Sequence, residues 1–169
     1  GVTPFVVLLA AFQLLLARES GSQDISVGAP IAGRDHAETH GLIGFFVDTV
    51  VLRTDMARVR TFRELVARVR DVTLAAYAHK DVPFDRLVEA LQPARDLGRS
   101  PLFQVMLAMQ PDPLPELDLP DLEVQQIALP SRVAQFDLTL VLSESPRGLS
   151  GRLEYSTDLF DAAMAERLV

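Results

Sequence analysis

The apolar positions of this chain change period from segment to segment, and each period names an element. PFVVLLAAFQLLLA, Pro4 to Ala17, is apolar at nearly every position, which predicts a helix buried on most faces. Thr3 can cap it, and Pro4 suits a first turn where no backbone N–H is needed. The helix is expected to end near Ser20-Gly21, and a strand from Ile25 runs into the Gly/Pro-rich bend of DISVGAPIAG. RDHAETHG, Arg34 to Gly41, reads as a polar loop. GLIGFFVDTVVLR, Gly41 to Arg53, reads as a strand buried on both faces, with one anomaly. Asp48 sits in its middle, and a carboxylate there is costly unless it is paired or hydrogen-bonded.

Thr61 and Glu64 form a capping-box pattern. Phe62, Leu65, Val66, Val69, Val72 and Ala76 follow at helical spacing, predicting a helix to about His79. Pro83 opens a shorter one, with Phe84, Leu87, Val88 and Leu91 on one face and Pro93 as its stop. PLFQVMLAM reads as a strand with Phe103, Val105, Leu107 and Met109 on one side. The proline- and acid-rich stretch from Gln110 to Glu123 is a long surface connection, a length that is usually functional or reaches another unit. LEVQQIAL and FDLTLVLSE read as strands, SPRG as a turn, and LSGRLEYST as the second arm of a hairpin. Asp161 starts a last helix. The order predicts an α/β fold, a mixed β-sheet flanked by helices in a single lobe. No fixed-period repeat is visible.

Composition narrows the classes. The 169 residues are 49% hydrophobic with a formal net charge of −7. The scattered basic residues make nucleic acid an unexpected partner. With no cysteine, disulfides and thiolate metal sites are excluded, and a reducing, cytoplasmic setting fits. The first apolar run lacks a basic leader and cleavage site, and at about fourteen residues it is short of the ~20 that span a bilayer. The chain opens without methionine, directly on a helix cap, as expected of a piece of a longer polypeptide.

Catalytic chemistry is sparse. The only histidines are His36, His40 and His79. His36 and His40 flank Glu38 as His-x-Glu-x-His, not the zinc-protease order, and read as solvated loop side chains. His79 suits a helix C-terminus, where a cation is favoured. Asp85 and Glu89 share a helix face at i,i+4 and read as a solvated polar face rather than an acid–base pair. In RDLGRSPL, Arg95 to Leu102, an internal Arg–Asp clamp is the expected role of the charges. No phosphate loop or dinucleotide fingerprint is present. No catalytic residue and no metal ligand is assigned.

Three ordered segments, IGFFVDTVVLR (Ile43 to Arg53), HKDVPFDRLVEAL (His79 to Leu91) and RDLGRSPLFQVM (Arg95 to Met106), resemble late motifs of nonribosomal peptide synthetase condensation domains. DISVGAPIAGR, FDLTL and LEYSTDLFD are similar to that family as well. The resemblance implies a fold like chloramphenicol acetyltransferase, two lobes in a V around a channel. Carrier proteins deliver a thioester-bound donor and acceptor there, and an amide forms. The family's His-His-x-x-x-Asp-Gly lies in its N-terminal lobe, and no two histidines are adjacent here. The resemblance therefore implies a C-terminal lobe, domain 1–169, inactive by itself. It also implies a floor loop within Gly28 to Gly44, and a latch at the proline-acid connection and its flanking strands, both crossing to the other lobe.

Gly28, Pro30, Arg34, Asp48, Thr49 and Arg53 become the candidates for the channel wall or the face between lobes. Asp48 stands where the family usually has asparagine and is expected to be a structural pin. Arg53 is a candidate partner for it or for another acid, although the two side chains leave an extended strand on opposite faces. No cofactor is expected to bind directly, since phosphopantetheine arrives on the carriers. The implied partners are the N-terminal lobe, donor and acceptor peptidyl carrier proteins and an adjacent adenylation domain. Two alternatives stay open: a catalytically silent module recruiting carriers or tailoring enzymes, and another acyltransferase completing its site from a neighbouring subunit.

Overall fold

A computed structural model describes residues 1–34, 37–94, 96, 98–111, 127, 133–145 and 148–168. The element order is α1 (Pro4–Ser20), β1 (Asp24–Ala32), a 3-10 turn (Ala37–Thr39), β2 (Val47–Asp55), α2 (Phe62–Ala78), α3 (Phe84–Leu91), β3 (Val105–Pro111), β4 (Leu138–Ser145), β5 (Gly148–Tyr155) and α4 (Ala162–Arg167). The strands are ordered β2-β1-β3-β4-β5. β1 runs antiparallel to β2 and parallel to β3, and β4 is antiparallel to β5, so the sheet is mixed as expected. Two compact units divide the chain, Gly1–Leu107 and Ala108–Val169.

In the first unit, α1 packs on β1 and α2, and α2 on β2. Between Phe5 and Ala17 only Ala11 is exposed, which is what an all-round apolar helix requires. Thr3 accepts the Val6 N–H, and Gly21 closes the helix at φ +69°, a left-handed conformation that glycine adopts without strain. Thr61 and Glu64 complete the capping box of α2. The buried face of α2 is narrower than its periodicity predicts: Leu65, Val69 and Thr73 are buried, while Phe62 lies in the exposed first turn. Thr73 is accommodated because its hydroxyl donates to the Val69 carbonyl at 2.8 Å. In α3, Leu91 is exposed, and no residue is fully buried.

The strand reading of Gly41 to Arg53 is corrected in two ways. Only Val47–Asp55 is strand, and Ile43 and Phe45 before it stand wholly in solvent, at 104% and 89% exposure. Within β2 the burial alternates: Val50, Leu52 and Thr54 are buried, whereas Val47, Arg53 and Asp55 are exposed. The buried face meets α1 and α2, as period-2 geometry dictates, while α3 lies toward the other face. The apolar run deceives because half of its apolar residues belong to a loop.

The ladder shows which backbone groups are used. Gly33 N–H donates to the Phe46 carbonyl and Met56 N–H to the Gln23 carbonyl, each at 2.7 Å. Antiparallel pairs alternate between bonded and non-bonded, so Asp48, Val50 and Leu52 exchange bonds with β1. Thr49, Val51 and Arg53 turn their N–H and C=O away from it. Among the described residues β2 is a sheet edge.

β3 begins later than the sequence pattern suggests, at Val105, because Leu102 adopts φ 69° and Phe103 N–H turns back to the Pro101 carbonyl. Leu107 and Ala108 are both buried, so the strand is covered on two sides rather than one.

In the second unit β4 and β5 pair from Leu138↔Tyr155 to Ser145↔Gly148. Asp161 caps α4 by accepting the Met164 N–H at 2.7 Å. The latch connection, Gln110 to Glu123, lies almost entirely outside the described residues, as does LEVQQIAL apart from the exposed Ile127.

Candidate functional site

The register sorts the candidate residues by face. Gly28 lies opposite Val51, Pro30 opposite Thr49 and Ser26 opposite Arg53, so Gly28, Pro30, Thr49 and Arg53 share one side of the β1–β2 ladder. Asp48, opposite Ile31, lies on the other side, the side of the buried Val50, Leu52 and Thr54. Pro30 and Thr49 form a pair that exchanges no hydrogen bonds, so the missing proline N–H costs this ladder nothing.

Gly28 is buried beneath an aromatic ring. A Cβ built there would sit 2.3 Å from Cε2 of Phe103, and Phe103 meets Phe84 of α3 edge to face at 5.6 Å. This packing was not legible in the sequence, because its partners come from three separate elements.

Arg53 does not meet Asp48. Its Nε and NH2 groups donate to the carboxylate of Asp24, the closest approach being 2.6 Å. Hydrogen bonding from Arg53 holds the Asp24 carboxyl below its ordinary value, against a smaller opposing effect of burial. Both groups are substantially exposed, so screening keeps the pair's energy small. Beside it runs an open groove of about 470 Å³, lined by Asp24, Ser26, Val51 and Arg53 from the strands and by Leu87, Leu91 and Leu102.

Asp48 is half-buried, and its Oδ1 accepts the Thr49 N–H at 2.7 Å. That N–H is one the ladder leaves outward, so the carboxylate satisfies a sheet-edge donor. An asparagine keeps one acceptor oxygen for this N–H and exchanges the second, with the charge, for an NH2 donor. Asp48→Asn is therefore expected to leave the denaturant midpoint nearly unchanged. Asp48→Leu should cost under about 1 kcal/mol, because a half-exposed edge N–H can turn to water and escapes the full penalty of a buried one. A loss of several kcal/mol in Asp48→Leu would show a buried partner that this geometry does not contain.

Arg34 organises the loop between β1 and β2. Its guanidinium donates to the carbonyl oxygens of Thr39, His40 (3.4 Å) and Leu42 (2.9 Å) and lies 4.2 Å above the centre of the Phe46 ring, within cation–π range. His40 Nε2 lies 3.0 Å from the Arg34 carbonyl. A carbonyl can only accept, so Nε2 carries the proton. The loop displays Leu42, Ile43 and Phe45, all exposed. Sequence reading named Arg34 but not this role. The available signal was an arginine after a strand, followed by two glycines and the four large apolar residues Leu42, Ile43, Phe45 and Phe46.

The charges read on α3 and in the loop from 95 to 102 behave as the sequence suggests, while His36 lies outside the described residues. Arg86 takes Glu89 at 2.8 Å on the exposed face of α3. Asp96 accepts the Gly98 N–H at 2.9 Å and lies 3.8 Å from Arg99, the expected internal clamp apart from Arg95, which lies outside the described residues. His79 is the exposed C-cap residue of α2. No metal-holding cluster occurs among the described residues, and none of their helices is long and apolar enough to cross a membrane.

Comparison with known proteins places this geometry. The family model for the condensation domain matches residues 1–169. Malpinin synthetase of Mortierella alpina is 48% identical over 169 residues, covering 100% of this chain and 2% of that protein. The dimodular nonribosomal peptide synthase of Bacillus subtilis (strain 168) is also 48% identical, over 173 residues, with 99% and 7% covered. Among solved structures, a four-domain nonribosomal peptide synthetase bound to AMP and glycine superposes with a TM-score of 0.87 at 28% identity, over 99% of this chain and 14% of its own. The X-domain solved in complex with OxyB from teicoplanin biosynthesis gives 0.86 at 30% identity, over 99% and 38%. The chain thus spans a small part of these relatives, and with its whole length matched it belongs to the condensation-domain family.

Proposed function

We propose that this chain is the C-terminal half of a peptide-synthetase condensation domain, forming one wall of a channel in which an amide is made, and that it is inactive alone. The carrying observation is one of coverage: the chain matches the family over its whole length, yet spans 38% of the solved X-domain chain.

The chemistry agrees. The acceptor amine attacks the donor thioester carbonyl, a C–N bond forms, the C–S bond breaks, and the amine proton ends on the departing thiolate. Such a step profits from a positioned base. Of the two histidines among the described residues, His40 is tied to the Arg34 carbonyl and His79 caps a helix. The base is then supplied by the other half, from its paired histidines. In this reading a floor loop within Gly28 to Gly44, beyond the end of β1 at Ala32, crosses to that half, as does the latch, which lies almost entirely outside the described residues. The exposure of Ile43, immediately beside the floor loop's end, supports the first of these. Donor and acceptor carrier proteins bring the phosphopantetheine-linked substrates, an adenylation domain lies adjacent, and the assembly works in the cytoplasm without nucleic acid.

Incubated with loaded donor and acceptor carriers, the chain alone should form no amide above the uncatalysed background, while the complete domain turns over. Clear turnover by the chain alone overturns the half-domain reading. A second reading, a silent recruitment module, is favoured by the likeness to an X-domain solved with OxyB. A complete domain whose own histidine motif is degraded, and which binds partners without making amide, would select it.

A further inference from the structure

We infer that Arg34 is a positioning residue, whose guanidinium presets the loop from Thr39 to Phe46 so that Ile43 and Phe45 are displayed ready to seat against the other half of the condensation domain. The inference rests on the two-part reading above, which supplies the occupant. The greater part of the solved X-domain chain lies outside the stretch this chain covers.

Besides Arg34, the described contacts within the loop are few and local. The Leu42 N–H donates to the Thr39 carbonyl at 3.3 Å, the His40 N–H to the Ala37 carbonyl at 3.2 Å, and His40 Nε2 lies 3.0 Å from the Arg34 carbonyl. Gly41 and Gly44 give it wide conformational freedom, and its side chains Leu42, Ile43 and Phe45 point into solvent instead of a core. Arg34 gathers the carbonyls of Thr39, His40 and Leu42 from one side of the loop. Its guanidinium carbon lies over the ring of Phe46, whose own carbonyl is pinned by the Gly33 N–H. Gly44 has no room for a side chain, since a Cβ would stand 2.9 Å from the Phe46 ring. The guanidinium, the ring and the glycine thus form one small packed unit under the display.

Ordering a free loop at the moment of docking subtracts from affinity. Here the ordering is done beforehand by folding. Lysine cannot replace the arginine, because a single ammonium offers no planar fork for several carbonyls and no flat face for the ring.

The test uses the complete condensation domain carrying Arg34→Ala, Arg34→Lys or Ile43→Asp. The readouts are single-turnover amide formation and hydrogen exchange of the loop amides. Both Arg34 variants should slow amide formation about tenfold and speed loop exchange by a similar factor, since small misplacements away from the chemistry are costly. A low, non-denaturing concentration of guanidinium should restore Arg34→Ala, and ammonium should not. The inference is overturned if Arg34→Lys matches the wild type in both readouts, or if ammonium rescues as well as guanidinium. Ile43→Asp should slow amide formation and leave loop exchange alone. If it leaves the rate unchanged while Arg34→Ala loosens the loop, the two-part reading fails and the loop assignment stands. If Ile43→Asp slows the rate while Arg34→Ala leaves exchange untouched, the loop assignment fails and the two-part reading stands.

Discussion

Gly28→Ala is expected to destabilise the fold by about 1–3 kcal/mol, at the upper end of that range for a single added methyl. Carbon atoms in van der Waals contact sit about 3.5–4.0 Å apart, and the new Cβ would fall 2.3 Å from one ring carbon of Phe103 and 2.5 Å from another. The ring cannot swing clear, because Phe103 is 2% exposed and held edge-on by Phe84. Shrinking the ring should relieve the clash. Phe103→Leu alone loses buried aromatic area, but in the Gly28→Ala background it should cost much less, giving a coupling of about 0.5–3 kcal/mol in a double-mutant cycle. Denaturant midpoints of the four proteins measure it, and additive single effects would refute the packing described.

Gln13 should give the opposite lesson. It is fully buried, and its Nε2 donates to the Leu52 carbonyl at 2.9 Å. Its Oε1 has no donor among the described residues. Leu52 belongs to the bonded pairs of the ladder, so its carbonyl keeps a β1 partner without Gln13. Gln13→Met preserves length and removes an unsatisfied buried oxygen, and is expected to be neutral or stabilising by up to about 1 kcal/mol. Gln13→Ala leaves a cavity and should cost about 2–4 kcal/mol, as large-to-small core changes do. Equal losses in both would mean that the amide contributes more than its volume.

What was legible in the sequence was local. The Thr61–Glu64 capping box, the Thr3 cap and the Asp161 cap each depend on residues within one helical turn, and each appears where it was read. The end of α1 at Gly21 is equally local. The Asp48 environment was harder, because a run of apolar letters does not distinguish a doubly buried strand from a half-buried strand preceded by an apolar loop. What separates them is Arg34, which draws the carbonyls of Thr39, His40 and Leu42 into a turn before the strand begins. The partner of Arg53 was hidden for a similar reason: register alone brings Asp24 beside it. The seat of Phe103 over Gly28 required knowing that β3 runs beside β1. Family resemblance supplied the candidate residues without supplying these contacts: strand spacing puts Gly28 with Pro30 and Thr49 with Arg53, but only the β1–β2 register brings the two pairs onto one face.

The edge position of β2 carries a consequence for solubility. An open strand edge is a template on which a second chain can polymerise. Here the exposed row is interrupted at both ends, by the Asp48 carboxylate on the Thr49 N–H and by Arg68, which donates to the Asp55 carbonyl. The stretch left between them is short and centres on Val51 and Arg53. A stacked copy of this strand would bring Arg53 and Asp55 onto their own duplicates, like against like, if it aligned in parallel register. Among the described residues the edge is thus usable only over a short stretch, and charge discourages the in-register stacking from which fibrils grow.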